Sequence, residues 1–406
     1  PSVTAKLPLG TELHLNVIWT QAGRTAWAPA GHEVGREQLE LSADSHPKFL
    51  PSAQPQLVAA QPRTRRRSKL DAGEQVPSEL APTPIAHLEW KPTIFRALTD
   101  NDGLKQGWMR GLVGGLHRWV EVQGVDQCVW KPGAERTRQV GTDTISTTSG
   151  DLIAPGVAEA VMIKRQARVR SDGWTQLSVE FRLPEGLRDP LRVGVELVLP
   201  ATPSVPADST VGADASAQAW PATSWESLQW VGNGPGENYS DRSAAVGVGH
   251  WKSTVTEQYE DYAVPQEHGH RGGLRWLSLS QESTSSTTAG LPLSGLLMVA
   301  EPNRLPGSRS LQWPGFAARH HNDAELWAGL HSSDLSAGPG RDTYVYLDAA
   351  QRGLGTASCG PDTLSAYRLG AGKYRVSVWC RYFDPSTEEQ ELLVRNLRAA
   401  WALLPG

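Results

Sequence analysis

The sequence predicts an all-β protein whose largest part is an antiparallel two-layer sandwich. From residue 86 to residue 383, short segments of alternating apolar and polar residues follow one another, and sequences such as Ser171-Asp172-Gly173 mark turns between them. The 406 residues include 40 Gly and 29 Pro, a composition that favours a sandwich of strands over packed helices. Many antiparallel strands in one domain imply two sheets packed face to face.

The first 43 residues predict a partial β domain. Every second residue from Leu13 to Trp19 is apolar, as in a half-buried strand, and a second strand is expected at 36–42. Two strands do not complete a sandwich, which needs about seven. We therefore expect the remaining strands upstream of Pro1 and an unpaired sheet edge in this segment.

Residues 44–85 predict a linker, because they are rich in Pro, Ser, Ala and Gln and show no periodicity. A basic run from Arg63 to Lys69 has two interpretations. It is either a targeting or polyanion-binding patch, or a solvated tether. The acidic remainder of the chain favours the tether.

Residues 86–406 predict the sandwich domain with a terminal helix. The alternation is clearest in the segments 177–183, 193–199 and 374–380. After residue 383 the apolar residues change to helical spacing, and Ser386 with Glu389 matches a capping box. We therefore expect a short C-terminal helix over 386–402.

Composition and charge exclude several classes of partner. The net charge of −4 gives no general attraction to nucleic acid, and no apolar run reaches the roughly 18 residues of a membrane span. We predict neither nucleic acid nor membrane as a partner. Cys128, Cys359 and Cys380 form no C-x-x-C motif and leave an odd thiol, which indicates a reducing, cytoplasmic compartment.

A segment of mixed chemistry runs from His331 to Pro361. It contains a strand of alternating residues ending at Asp348, a Gly-x-Gly turn at Gly353 and Gly355, and then Ser358-Cys359-Gly360. One interpretation is an ordinary hairpin connection. The other is a shaped surface loop, held by strands at both ends, where binding residues tend to lie.

This segment resembles the closing signature of the C-terminal domain of β-galactosidases of glycoside hydrolase family 2. Three further motifs resemble that family in the same order: FRALTDNDG from Phe95, GNGPGENYSDR from Gly232 and VPQEHGHRGGLRW from Val264. The resemblance implies a galactose-mutarotase-like supersandwich for 86–406. It also implies that residues 1–43 end an immunoglobulin-like domain, so that the chain would be a piece of a longer protein.

The resemblance implies a role without a catalytic residue in this chain. In the family, two Glu residues of an upstream (β/α)₈ barrel cleave the β-galactoside, and nothing before residue 100 resembles such a barrel. The expected partners are therefore that barrel and a galactoside substrate such as lactose, and a homo-oligomer is left open. The resemblance implies that a loop with Ser358, Cys359 and Gly360, together with His331, lines the mouth of the active site.

Two other functions remain open from the residues. One is a free-standing carbohydrate-binding module. The other is a mutarotase-like aldose epimerase, which needs one base and one acid, for which Glu267 and His331 are the candidate pair.

No cofactor is predicted. Asp100-Asn101-Asp102 lacks the alternation of a calcium loop, and Glu267 with His268 and His270 lacks further ligands at zinc spacing. We expect no metal site in this chain. A hard cation such as Mg²⁺ or Na⁺ in the full enzyme is left open, without identifiable ligands here.

Overall fold

The computed structural model describes residues 12–41, 85–105, 115–201, 223–283, 294–335 and 341–402. The chain divides into two compact units, one made of Pro1–Thr83 with Thr387–Gly406 and the other of Pro84–Ser386. The predicted linker at 44–85 lies, apart from residue 85, outside the described residues. The division groups the C-terminal helix with the N-terminal strands, whereas the sequence placed it in the sandwich domain.

The described part of the first unit contains one antiparallel hairpin. Strand β1 (His14–Thr20) pairs with β2 (Glu33–Glu40), and the register shifts between Trp19 and Thr20. The predicted half-buried face of β1 is largely exposed, since Leu15 is 45% and Trp19 50% accessible. The reason is that, among the described residues of this unit, β2 is the sole strand that pairs with β1.

The unit also contains the C-terminal helix, α2 (Gln390–Ala402), which confirms the predicted short helix. It begins four residues later than the capping pattern indicated. The Ser386 hydroxyl and amide instead donate to Asp384 Oδ1, at 2.6 and 2.9 Å. In the described part of the chain, no helix combines the length and the apolar character needed to cross a membrane.

The second unit contains fourteen described strands and one short α-helix, α1. The strands are β3 (Trp90–Thr93), β4 (Val129–Pro132), β5 (Arg136–Val140), β6 (Asp143–Ile153), β7 (Val161–Val169), β8 (Thr175–Leu183), β9 (Arg192–Leu199), β10 (Thr223–Gly234), β11 (Gly247–Thr254), β12 (Trp276–Ser283), β13 (Gly295–Ala300), β14 (Gly315–Arg319), β15 (Thr343–Gln351) and β16 (Gly372–Phe383), and α1 is Asp323–Ala328. Short 3-10 turns lie at Ile85–His87, Val125–Gln127, Thr256–Gln258, Ser332–Asp334 and Ser365–Tyr367, and a π-helical turn lies at His117–Val122.

The strands form two antiparallel sheets. The larger has the order β11-β10-β12-β13-β16-β8-β7-β6-β4, with β5 also paired to β6, and the smaller has the order β14-β15-β9-β3. The predicted segments 177–183, 193–199 and 374–380 lie in β8, β9 and β16, which confirms the alternation.

Their apolar faces meet in one core, where Phe181 and Val376 of the larger sheet share a buried cluster with Val195 and Val345 of the smaller. Burial of each such side chain contributes about 1.5–3 kcal/mol to folding. The predicted all-β two-layer architecture is therefore confirmed.

Candidate functional site

The chain that leaves β15 forms a loop with a buried base and an exposed tip. Residues 352–354 are buried, whereas Thr356, Cys359 and Gly360 are exposed. The carboxylate of Asp241, from the second motif, holds the base: it accepts from the amides of Leu354 (3.0 Å) and Gly355 (2.8 Å). The hydroxyl of Thr363 donates to the same carboxylate at 2.8 Å, so one side chain ties both arms of the loop.

The geometry of this contact requires glycine at position 355 and keeps Asp241 ionised. Gly355 has φ +66°, and a Cβ there would lie 2.5 Å from the amide nitrogen of Thr363, so only glycine fits. Partial burial raises the pKa of Asp241, but the hydrogen bonds from Gly355, Thr363 and Leu354 outweigh it and hold that pKa below 3.8. Asp241 therefore binds the loop as a carboxylate.

Arg352 clamps the loop from the other side. Its Nε donates to both carboxylate oxygens of Asp189 at 3.0 and 2.9 Å, and its Nη2 donates to both of Asp362 at 2.8 and 2.7 Å. The guanidinium lies 4.9 Å from the ring centre of Trp119. The motifs did not single out Arg352, and the one signal in the sequence is its place directly after an apolar strand and before glycine.

The tip is a compact turn closed by Thr356. The amides of Cys359 and Gly360 donate to the Thr356 carbonyl at 3.1 and 2.7 Å, and the Thr356 hydroxyl donates to the Pro361 carbonyl at 2.8 Å. Ser358 Oγ donates to Asn101 Oδ1 of the first motif at 2.8 Å. The thiol of Cys359 is exposed and free. This turn thus presents Ser358, Cys359 and Gly360 together at the surface.

The other two thiols are not available at this surface. Cys380 is buried and Cys128 is half-buried, and both are free. Burial raises the pKa of Cys128 to about 12, so its thiol stays protonated at neutral pH.

His331 lies on a different surface segment, beyond α1. Its side chain is 70% exposed and lies 3.7 Å from the carboxylate of Asp334. The preceding residues are anchored by Lys105, whose Nζ donates to the carbonyls of Leu326 and Pro265 at 2.8 and 3.0 Å. Partial burial lowers the pKa of Lys105 to about 8. No contact joins His331 to the turn at 358–360 among the described residues, so its place in the site stays a prediction.

Glu267 of the third motif lies in a buried cluster of charges beneath the loop base. It is 1% exposed, and its carboxylate accepts from Arg319 (3.1 Å), Arg192 (3.2 Å) and Gln351 (3.1 Å). Burial raises its pKa, but Arg319 and Arg192 outweigh that effect and hold the pKa well below 4.5. Gln351 is the residue directly before Arg352, which links the cluster to the loop.

Two further carboxylates complete the charge cluster. Arg192 also pairs with Asp323, and Arg319 Nη2 donates to Asp323 Oδ1 at 2.9 Å. Arg192 Nε lies 3.0 Å from Asp348 Oδ1, although its direction does not make a hydrogen bond. Both guanidinium groups stack on the ring of Tyr346, at 4.4 and 4.5 Å.

The structure does not bring the candidate epimerase pair together. Glu267 is buried and bound by two arginines, whereas His331 is exposed and faces Asp334. A base that acts on a sugar must reach the sugar and accept a proton near neutral pH. The geometry of Glu267 favours the ion-pair interpretation instead.

The acidic first motif is likewise structural. Arg96 pairs with Asp102 at 2.5 and 3.1 Å, and Asp102 Oδ2 accepts from the amide of Thr99 at 2.8 Å. This arrangement fixes the turn that presents Asn101 to Ser358. Among the described residues, no group of three or more His, Cys, Asp or Glu side chains is placed to hold a metal ion.

We expect that Asp241→Asn loosens the loop base. The amide group retains one acceptor oxygen but turns an N–H₂ group towards one of the present donors, so the variant should lose about 1–3 kcal/mol in the free energy of unfolding. Urea unfolding measures the global loss, and hydrogen exchange at Leu354 and Gly355 should show local loss of protection. Glu185→Gln, at an exposed turn position between β8 and β9, is the matched control and should change stability by less than about 0.5 kcal/mol. Unchanged exchange at Gly355 would contradict the anchoring role.

Comparison with known proteins gives two family matches. Residues 75–379 match the model described as β-galactosidase small chain, and residues 1–42 match that of β-galactosidase domain 4. The chain is 29% identical to a β-galactosidase of an Arthrobacter species over 91% of its own length and 33% of that protein. It is 27% identical to a β-galactosidase of Photobacterium profundum over 90% of its own length and 32% of that protein.

The chain thus spans about a third of the length of these relatives. A crystal structure of an Aspergillus nidulans amine oxidase aligns with a TM-score of 0.24 and 8% identity over 66% of this chain and 40% of that one, values from which no inference about the fold follows. The first family match covers well over half of the chain, and all four sequence motifs lie within it. The chain belongs to the β-galactosidase small-chain family.

Proposed function

We propose that this chain is the non-catalytic part of a glycoside hydrolase family 2 β-galactosidase. In this proposal an upstream barrel of the full-length protein supplies the two carboxylic acids that hydrolyse terminal β-D-galactosides such as lactose. This chain supplies the turn at 356–361, which completes the sugar pocket, and supports assembly. The three free cysteines support a cytoplasmic location.

The observation that carries the proposal is the contrast between the fixed base and the exposed tip of the loop. Asp241 and Asn101 hold the turn from distant parts of the chain, and Arg352 at the loop base binds the carboxylates of Asp189 and Asp362. A turn held in this way can present polar groups to a ligand at a defined position, which is what a binding site requires.

The carboxylates of the buried charge cluster also fit a chain without a hydrolytic pair. Glu267, Asp323 and Asp348 are each at most 4% exposed and lie against arginines. A glycosidase needs two carboxyl groups that reach both faces of the scissile bond. These three do not reach a sugar at the surface.

A chimaera tests the proposal. We would replace the aligned third of the Arthrobacter β-galactosidase with this chain and measure hydrolysis of a nitrophenyl galactoside. The 406-residue chain alone should show no hydrolysis above buffer, and the chimaera should be active. Replacing residues 356–361 of the chimaera by a Gly/Ser linker should raise KM by roughly tenfold or more, as expected when one binding surface is lost.

The control is the same Gly/Ser replacement at 306–311, an equally long surface segment elsewhere in this unit. It should leave KM within about twofold. Hydrolysis by the isolated chain, or a KM that does not respond to the replacement at 356–361, would overturn the proposed role.

A further inference from the structure

The larger sheet carries a groove of about 880 Å³ on one face. Phe181 and Tyr374 point from β8 and β16 into the core, so their neighbours Arg182 and Lys373 point to the opposite, solvent-facing side. The groove therefore lies on the outer face of the sheet, and it is separate from the loop at 356–361.

A row of side chains crosses the groove in register. The backbone register of neighbouring strands places Lys131 of β4 opposite Asp151, Asp151 opposite Met162, Met162 opposite Arg182, and Arg182 opposite Lys373 of β16. Five adjacent strands about 4.8 Å apart make this row roughly 19 Å long. Met162 lies at its centre and is 51% exposed.

The groove is strongly cationic although the chain is acidic. A second row adds Lys164, Glu180 and Arg375, and Arg304 lies at the rim. Together the lining contains six Lys or Arg and two Asp or Glu, a local excess of four positive charges on a chain of net charge −4. We call this surface the cationic groove.

Most of these cations have no side-chain partner among the residues that the structure describes. Arg375 binds Ser178 and Glu301, at 3.0 and 3.3 Å. The side chains of the other five make no hydrogen bond or ion pair with any residue that the structure describes: Lys131, Lys164, Arg182, Arg304 and Lys373. By contrast, Arg352 at the loop base is bound by two carboxylates. Unpaired like charges in one concavity concentrate positive potential and attract anions.

The shape and lining indicate the class of anion. The volume lies within the range of sites for small ligands, and a row of roughly 19 Å fits an extended molecule with several charges better than a single phosphate. The aromatic rings at the groove, Phe181 and Tyr374, belong to the core, so they offer no platform on which a nucleobase could stack. Recognition here must rest on charge.

We propose that the cationic groove binds an anionic oligosaccharide, with carboxylate or sulfate groups placed against its lysines and arginines. The choice of a glycan over an acidic peptide rests on the proposed function, in which the full-length protein acts on glycans. The ligand lies along the row from Lys131 to Lys373 and over Met162.

Calorimetric titration of the 406-residue chain tests the proposal. The probes are a galacturonate tetramer, a sulfated galactotetraose and a neutral galactotetraose of the same length. Saturable binding of either anionic probe but not of the neutral one is expected, and affinity should fall when ionic strength rises from about 0.05 M to about 0.5 M. Binding of one anionic probe alone still supports the proposal and identifies the charged group.

Matched variants locate the site. Arg182→Gln with Lys373→Gln should weaken binding by about tenfold, since two exposed charge contacts are removed. Lys252→Gln, an exposed lysine of β11 at the far edge of the same sheet, should leave affinity unchanged.

Three results would overturn the proposal: equal affinity for the neutral probe, no binding of either anionic probe, or tighter binding of hexa-aspartate than of both. The titration measures binding and needs no hydrolysis. If no binding is found, the proposed galactosidase role is unaffected. If the galactosidase role is disproved, binding to the groove can still be measured.

Discussion

Arg192→Leu is expected to lower the free energy of unfolding by about 3–5 kcal/mol. Arg192 is fully buried and lies against three carboxylates, those of Glu267, Asp323 and Asp348. Leucine fills part of the volume of the arginine side chain. It leaves the three carboxylates buried, with Arg319 as the remaining close arginine. The cost arises because the carboxylates of Glu267 and Asp323 then share one close guanidinium, that of Arg319, at a site buried away from water.

Urea unfolding followed by tryptophan fluorescence measures the loss. Arg192→Lys keeps the charge but not the planar fork, so it should lose less than the leucine variant. Arg138→Leu, an exposed arginine in β5, is the matched control and should change stability by less than about 0.5 kcal/mol. Equal stability of Arg192→Leu and Arg138→Leu would show that the cluster contributes nothing net to folding.

The sandwich could be predicted from the sequence because the alternation of apolar and polar residues that indicates it lies within each strand. Alternation along β8, β9 and β16 records which face of each strand meets the core, and the pattern needs no knowledge of the partner strand. The exposure of Leu15 and Trp19 could not be predicted, because it depends on what covers the hairpin. The helix start was also wrong, because Asp384 binds Ser386 more directly than the capping pattern would.

The surface position of the turn could be predicted from the sequence, whereas its role in a site stays a prediction. The turn at Ser358-Cys359-Gly360 is at the surface, as its motif indicated, but the residues that hold it are distant in sequence. Asp241 reaches Gly355 across more than a hundred residues, and no local pattern marks such a contact. Glu267 is the instructive case, because a carboxylate beside histidines has the same sequence pattern whether it is a base or one member of an ion pair. Burial against arginines decides between the two, and burial is a tertiary property.

The stability difference between the wild type and Asp348→Asn is expected to depend on pH. Burial raises the pKa of Asp348 to about 7, which the contact with Arg192 offsets only in part, while the ordinary value is 3.8. Between these values the folded protein holds a proton that the unfolded chain releases. The stabilising contribution is therefore complete below about pH 3.8 and is lost as pH rises through 7, by at most about 1.4 kcal/mol per pH unit. Asparagine does not titrate, so the difference between the two proteins shows this slope.

Two buried histidines change the free energy of unfolding with pH in the opposite direction, in the wild type and in Asp348→Asn alike. Burial lowers the pKa of His268 and of His270 to about 4, from 6.5. The unfolded chain takes up protons there that the folded state does not, so stability is lost as pH falls from 6.5 to 4. His268→Gln therefore serves as a control of opposite sign. His270 lies 3.7 Å from Asp348 and is the less suitable control.

Urea unfolding of the three proteins at pH values between about 4 and about 8 separates these contributions. The wild-type advantage over Asp348→Asn should shrink as pH rises, and the advantage over His268→Gln should shrink as pH falls. Suppose that the stability difference between the wild type and Asp348→Asn does not change with pH, while the difference between the wild type and His268→Gln does. Asp348 would then be ionised in the folded protein throughout, and the charge of Arg192 at 3.0 Å, rather than burial among Glu267 and Asp323, would control it.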